Sequence, residues 1–131
     1  MCLFDPKQIK LNEDITVYKV LIQDSEKLTS PYYPYDWELN KEYKINDKPV
    51  IRDYALYKTI SGNTFHTFKN FDDARNERIE ILPAFEVYPP NLKIVIAECI
   101  IPKSSEYVYE GTFGNAQAYA SSSLIIKKII D

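Results

Sequence analysis

The chain has 131 residues, 45% of them hydrophobic and 27% charged, with a formal net charge of -3 and two cysteines. That length fits one domain, 1–131, able to bury roughly 65–70% of its unfolded surface without covalent staples. The charge gives no reason to expect nucleic acid, no apolar run approaches a membrane span, and two cysteines make neither a disulfide scaffold nor a zinc site. The start of the chain has no basic region followed by an apolar segment, so no signal peptide is expected and the expected setting is cytoplasmic, with no membrane partner and no cofactor.

Residues 1–14 are polar and read as a leading arm. Residues 15–22 (Ile-Thr-Val-Tyr-Lys-Val-Leu-Ile) are rich in β-branched and aromatic side chains and predict the first strand. Between 28 and 37, Pro31 and Pro34 exclude a regular helix or central strand, leaving an extended loop that carries Tyr32, Tyr33, Tyr35 and Trp37. Residues 42–45 predict a short strand and 46–49 a turn. Over 50–60, a helical stripe through Ile51, Tyr54, Ala55 and Tyr57 competes with a strand pair. Residues 64–68 alternate as a strand. Asn70 then caps a helix with Asp72 and Asp73 in its first turn, Ala74, Ile79 and Leu82 facing the core, and Pro83 as its end.

Residues 92–101 (Leu-Lys-Ile-Val-Ile-Ala-Glu-Cys-Ile-Ile) are apolar on both faces and predict the central strand. A turn at 102–105, a strand at 106–110, a loop at 111–115, an uncertain stretch at 117–123 and a final strand at 124–130 complete the chain. The fold class expected is α+β: a mostly antiparallel sheet of five or more strands with one main helix.

His66 is the only histidine, and so the only side chain whose ordinary pKa lies near neutrality. In a strand it shares a face with Thr64 and Phe68 and sits just before the helix start. Its structural reading is a half-buried ring satisfied by a carbonyl or carboxylate; its functional reading is a ligand contact. Lys19 and Glu98 each interrupt an otherwise apolar strand face. The structural reading is that each reaches solvent or that the two form an ion pair; the functional reading is a polar floor in an apolar pocket, with Glu98 as base or substrate anchor. The Tyr32–Trp37 segment presents rings on a proline-stiffened loop, suited to stacking on a ligand or to covering the core. Cys2, if Met1 is removed, has the layout of an N-terminal nucleophile, but a modestly buried thiol is the simpler reading. The carboxylates Asp72, Asp73, Glu77 and Glu80 read as a solvated helix face.

Several segments taken together carry a resemblance. They are Met1-Cys2-Leu3, Val17-Tyr18-Lys19-Val20-Leu21, Thr29-Ser30-Pro31-Tyr32, Phe65-His66-Thr67-Phe68-Lys69-Asn70, Cys99-Ile100-Ile101-Pro102-Lys103 and Tyr119-Ala120-Ser121. The chain resembles a group of small uncharacterised proteins from gut bacteria and their phages, over nearly its whole length. Relatives often have Gly after the Pro-Lys, where this chain has Ser104. The resemblance implies no function.

The expectation is a non-enzymatic binding or interaction domain, its partner a protein or a small molecule. The candidate site comprises His66, Thr67, Tyr32, Tyr35 and Trp37, with charge from Lys19 or Glu98. An alternative is an enzyme, or a degenerate one, with a split sheet similar to that of ADP-ribosyltransferases. For that alternative the Glu-x-Glu motif is missing, and Lys19 stands where that family has Arg or His. A purely structural phage or mobile-element protein is a third reading.

Overall fold

A computed structural model describes residues 2–31, 36–85 and 92–131, with residues 82–85 as backbone only. In chain order the elements are β1 (Leu3–Gln8), β2 (Ile15–Asp24), β3 (Lys27–Thr29), β4 (Asp36–Trp37), β5 (Glu42–Lys44), β6 (Val50–Asp53), β7 (Lys58–Gly62), β8 (Phe65–Phe68), α1 (Phe71–Phe85), β9 (Leu92–Ile101), β10 (Val108–Phe113), β11 (Ala116–Ser121) and β12 (Ser123–Ile129). The strands form one antiparallel sheet in the order β5-β12-β9-β2-β8-β11-β10-β1-β7-β6, with β3 and β4 attached beside β2. This is the expected mostly antiparallel sheet with a helix. Among the described residues no helix is long and apolar enough to cross a membrane.

β9 lies between β2 and β12, and pairs with β2 without a break from Ile15 opposite Ile101 to Asp24 opposite Leu92. Alternation then sorts their side chains. Val17, Leu21, Val95, Ala97, Cys99 and Ile101 enter one core with Trp37 and Leu124. Val20 and Ile96 face the other way, under Ala74 and Ile81 of α1.

The sheet curls. β7 and β8 are separated in the chain only by Asn63 and Thr64, yet three strands, β11, β10 and β1, lie between them in the sheet. Small residues line the inside of the curl: Ala118 and Ala120 pack with Leu3 and Ile60. Gly111 allows the tightest approach, because a Cβ there would lie 2.5 Å from the Phe4 carbonyl oxygen.

Several expectations are corrected. Residues 3–8 are not an arm but β1, inserted between β10 and β7 and anchored by the fully buried Leu3. Its polar look comes from a bulge, where Asp5 takes φ 52° and Pro6 needs no ladder partner. The 50–60 stretch, left open between a helix and a strand pair, is the strand pair, β6 against β7. The 111–115 loop is mostly strand: β10 runs through Gly111 to Phe113, and the turn is confined to Gly114 (φ 61°) and Asn115. The helix continues to Phe85, beyond Pro83. Ala74 is fully buried as expected, but Ile79 is exposed and Ile81, one heptad after Ala74, takes the core position. Leu82 falls among the residues described as backbone only.

Candidate functional site

The site begins with a break in strand pairing. β2 meets β8 at one position only, Tyr18 opposite Phe68. β3 folds back on the same edge of β2 from Ile22 to Asp24. Between Tyr18 and Ile22 no described strand pairs with that edge, and the sheet opens into a cavity of about 380 Å³. Ligand pockets commonly measure roughly 300–1,000 Å³.

Lys19 and Val20 of β2 form one margin of the opening, and Ser30, Pro31 and Trp37 from the β3–β4 region form another. The third is the end of β7 with the start of β8, from Ser61 to His66. Glu77, buried on α1, closes the helix side. Trp37 is held firmly. Its Nε1–H donates to Ser30 Oγ at 2.9 Å, and its ring meets Tyr43 at 4.8 Å and Phe65 at 5.3 Å, both edge-on.

Lys19 is half-buried on the core face beside Ala97 and Cys99. Its Nζ donates to the His66 backbone oxygen at 2.7 Å, bridging the strands just where their ladder stops. Desolvation pulls its pKa down to about 8, with nearby Cys99 acting in the opposite sense. Burial pushes the Cys99 thiol up to about 12, against the pull of Lys19. The His66 ring points to the inner face of the curl, opposite Ala120, with Nε2 3.4 Å from the Ile60 carbonyl oxygen. Burial, and then the Lys19 charge, push His66 down to about 4 despite that contact. At neutral pH His66 is an uncharged ring linking β8 across to β7.

The structure therefore brings Lys19, His66 and Trp37 to one cavity. Thr67 is adjacent but fully buried, off the cavity wall, and its Oγ1 has no hydrogen-bond partner. Tyr32 and Tyr35 lie outside the described residues. Of the alternatives for Lys19 and Glu98, the one in which they meet is excluded. Lys19 stands opposite Ala97, and Tyr18 opposite Glu98, so the two charges point to opposite faces of the sheet. Glu98 pairs instead with Lys128 at 3.7 Å and takes no part in the cavity. Cys2 is half-buried and Cys99 buried, both as free thiols.

Sequence reasoning missed Ser30, Ser61, Thr64, Phe68 and Glu77 as cavity residues. The polar ones carry no motif, and only the return of β3 onto β2 makes them converge. Thr64 Oγ1 is buried without a hydrogen-bond partner. A second apolar surface lies at the β6–β7 tip, where Leu56 is 93% exposed and Tyr54 and Tyr57 stack at 4.9 Å. Comparison with protein-family models, curated proteins and solved structures finds no match.

Proposed function

We propose that this chain is a non-enzymatic binding domain that takes a small, mainly apolar ligand into the opening between β2 and β8. The observation that carries the reading is the interrupted edge of β2, which leaves a cavity walled by the rings of Trp37, Phe65 and Phe68. These rings sit on strands and are fixed by packing, so binding costs little side-chain entropy. The states of His66 and Cys99 also favour binding over catalysis. His66 at about 4 is a poor base at neutral pH, and Cys99 at about 12 is a poor nucleophile. The alternative, an enzyme with an ADP-ribosyltransferase-like split sheet, draws on the same opening. Turnover of a nicotinamide dinucleotide by the purified protein would favour it.

Trp37 is the only tryptophan, so energy transfer from it reports binding to the chain, and a substitution in the cavity wall localises that binding. Titration with the neutral fluorophore N-phenyl-1-naphthylamine should give saturable transfer from Trp37. Filling the opening with Ser61→Phe should weaken it at least tenfold. Transfer that fails to saturate, or that is unchanged in Ser61→Phe, would rule the reading out.

A further inference from the structure

In the proposed cavity Lys19 has no carboxylate within ion-pair reach among the described residues, and the one carboxylate of the lining, Glu77, lies on the α1 side. His66 is uncharged at neutral pH, which leaves Lys19 as the one cationic side chain among the described residues lining the opening. No carboxylate of the described residues lies within ion-pair distance of its Nζ, although six ion pairs form elsewhere on the chain. Its single hydrogen bond is to the His66 carbonyl oxygen. An ammonium has three N–H donors, so two are left without a partner among the described residues. A cation set among apolar walls loses hydration that the protein does not replace, and an incoming anion restores the balance. Glu77 approaches from the α1 side of the sheet, while Lys19 projects to the other face with Ala97 and Cys99.

A second group points the same way. Thr64 Oγ1 is buried in the cavity wall with no hydrogen-bond partner, and a hydroxyl left so is costly unless something fills its place. It becomes a neutral donor beside the rings once an occupant shifts the wall enough to reach it, because Oγ1 is shut off from the cavity space. Val20, Pro31, Ile45 and the rings of Trp37, Phe65 and Phe68 offer apolar contact, while Ser30, Ser61 and Asn63, and Glu77 on the α1 side, add polar groups at the margins.

We propose that the occupant is an organic monoanion: an aromatic or branched apolar body with one carboxylate- or sulfonate-type head that pairs with Lys19 and accepts a hydrogen bond from Thr64. This rests on the cavity being a ligand site, as inferred above, and adds the charge and shape of the ligand. Two donors on Lys19 and one on Thr64 match the acceptor oxygens of a single such head. A dianion would need further donors, and a cation would face the Lys19 charge.

The test uses two fluorophores with the same ring body, N-phenyl-1-naphthylamine, which is neutral, and 8-anilinonaphthalene-1-sulfonate, which is anionic. Each is titrated into the full chain with energy transfer from Trp37 as the signal. The sulfonate should bind at least tenfold more tightly than the neutral probe. Lys19→Gln should abolish that preference while changing the neutral probe's Kd less than threefold, and Lys19→Arg should retain it. Thr64→Val should reduce the preference by about threefold. Circular dichroism checks that each variant is folded, and the Arg variant keeps the comparison open if the Gln variant is not. Equal affinities for the two probes, or a preference that survives in Lys19→Gln, would overturn the inference and leave the cavity reading intact. Failure of both probes to draw energy from Trp37 would overturn both.

Discussion

His66 makes stability depend on acidity in a window that can be worked out in advance. Its pKa is about 4 in the folded protein and near 6.5 when unfolded. Between those values the unfolded chain binds a proton that the folded chain does not, so stability falls as pH falls. The contribution is fully present above pH 6.5, begins to be lost there, and is gone at about pH 4. A displacement of this size corresponds to about 3 kcal/mol for a fully buried group and about 2 kcal/mol for a half-buried one. For a chain this long, that range lowers Tm by roughly 7–11 °C. The perturbation is His66→Gln, whose amide can still donate to the Ile60 carbonyl oxygen but does not titrate. Urea unfolding followed by fluorescence of the buried Trp37 at pH 7, 6, 5 and 4 measures both proteins. Carboxylate titration is common to the two and cancels in the difference. The wild type should lose about 2–3 kcal/mol relative to His66→Gln across the window and nothing further below it. Parallel curves, or a His66 ring that titrates by NMR near 6.5, would refute the reasoning.

Further outcomes follow from the same geometry. Gly111→Ala should cost about 3 kcal/mol or more in urea unfolding, because the new Cβ meets the Phe4 backbone oxygen at 2.5 Å. Gly62→Ala should cost under about 1 kcal/mol, because its Cβ meets only the side chain of Val50 at 3.2 Å. Lys19 has a folded pKa of about 8, below its ordinary 10.5, so the folded state gains stability as pH rises through 8 toward 10.5. From pH 7 to 9 the wild type should therefore gain on Lys19→Met, read as a difference in urea midpoint. Above pH 9 Cys99, with a folded pKa of about 12, acts the other way in both proteins. In the native protein at pH 8 a disulfide reagent should react quickly with the half-buried Cys2 and not with Cys99, and with both after unfolding.

Much of the sheet was readable because its central strands are built from β-branched runs. The 15–22 and 92–101 segments have few alternatives to a strand, and Asn70 with Asp72 and Asp73 marks the helix start for reasons of capping and dipole. The misreadings share a cause. Gly111 reads as a breaker, whereas its missing Cβ serves the approach of β1. Asp5-Pro6 reads as the end of order, whereas it is a bulge inside a strand. Ile79 is a different case: the helical period already separates it from Ala74 by about 140°, whereas Ile81 lies within about 20° of Ala74 and is the residue buried. For the site, alternation shows which side chains share a face within one strand. It does not give the register between strands, and a shift of one residue separates Lys19 from Glu98. Lys19, His66 and Trp37 were legible as unusual residues on strand or loop positions. The opening that gathers them was not, because it depends on β3 turning back onto β2 and leaving part of that edge unpaired.

The role of the cavity is tested most directly by two-dimensional NMR of the full chain during titration with 8-anilinonaphthalene-1-sulfonate. The predicted result is saturable shifts at the Trp37 indole N–H, the backbone amides of Lys19, Val20 and Thr64, and the His66 ring, all with one dissociation constant. Shifts confined to the exposed rings of Tyr54 and Tyr57 at the β6–β7 tip, or no saturable shift at Trp37 and Thr64, would contradict it.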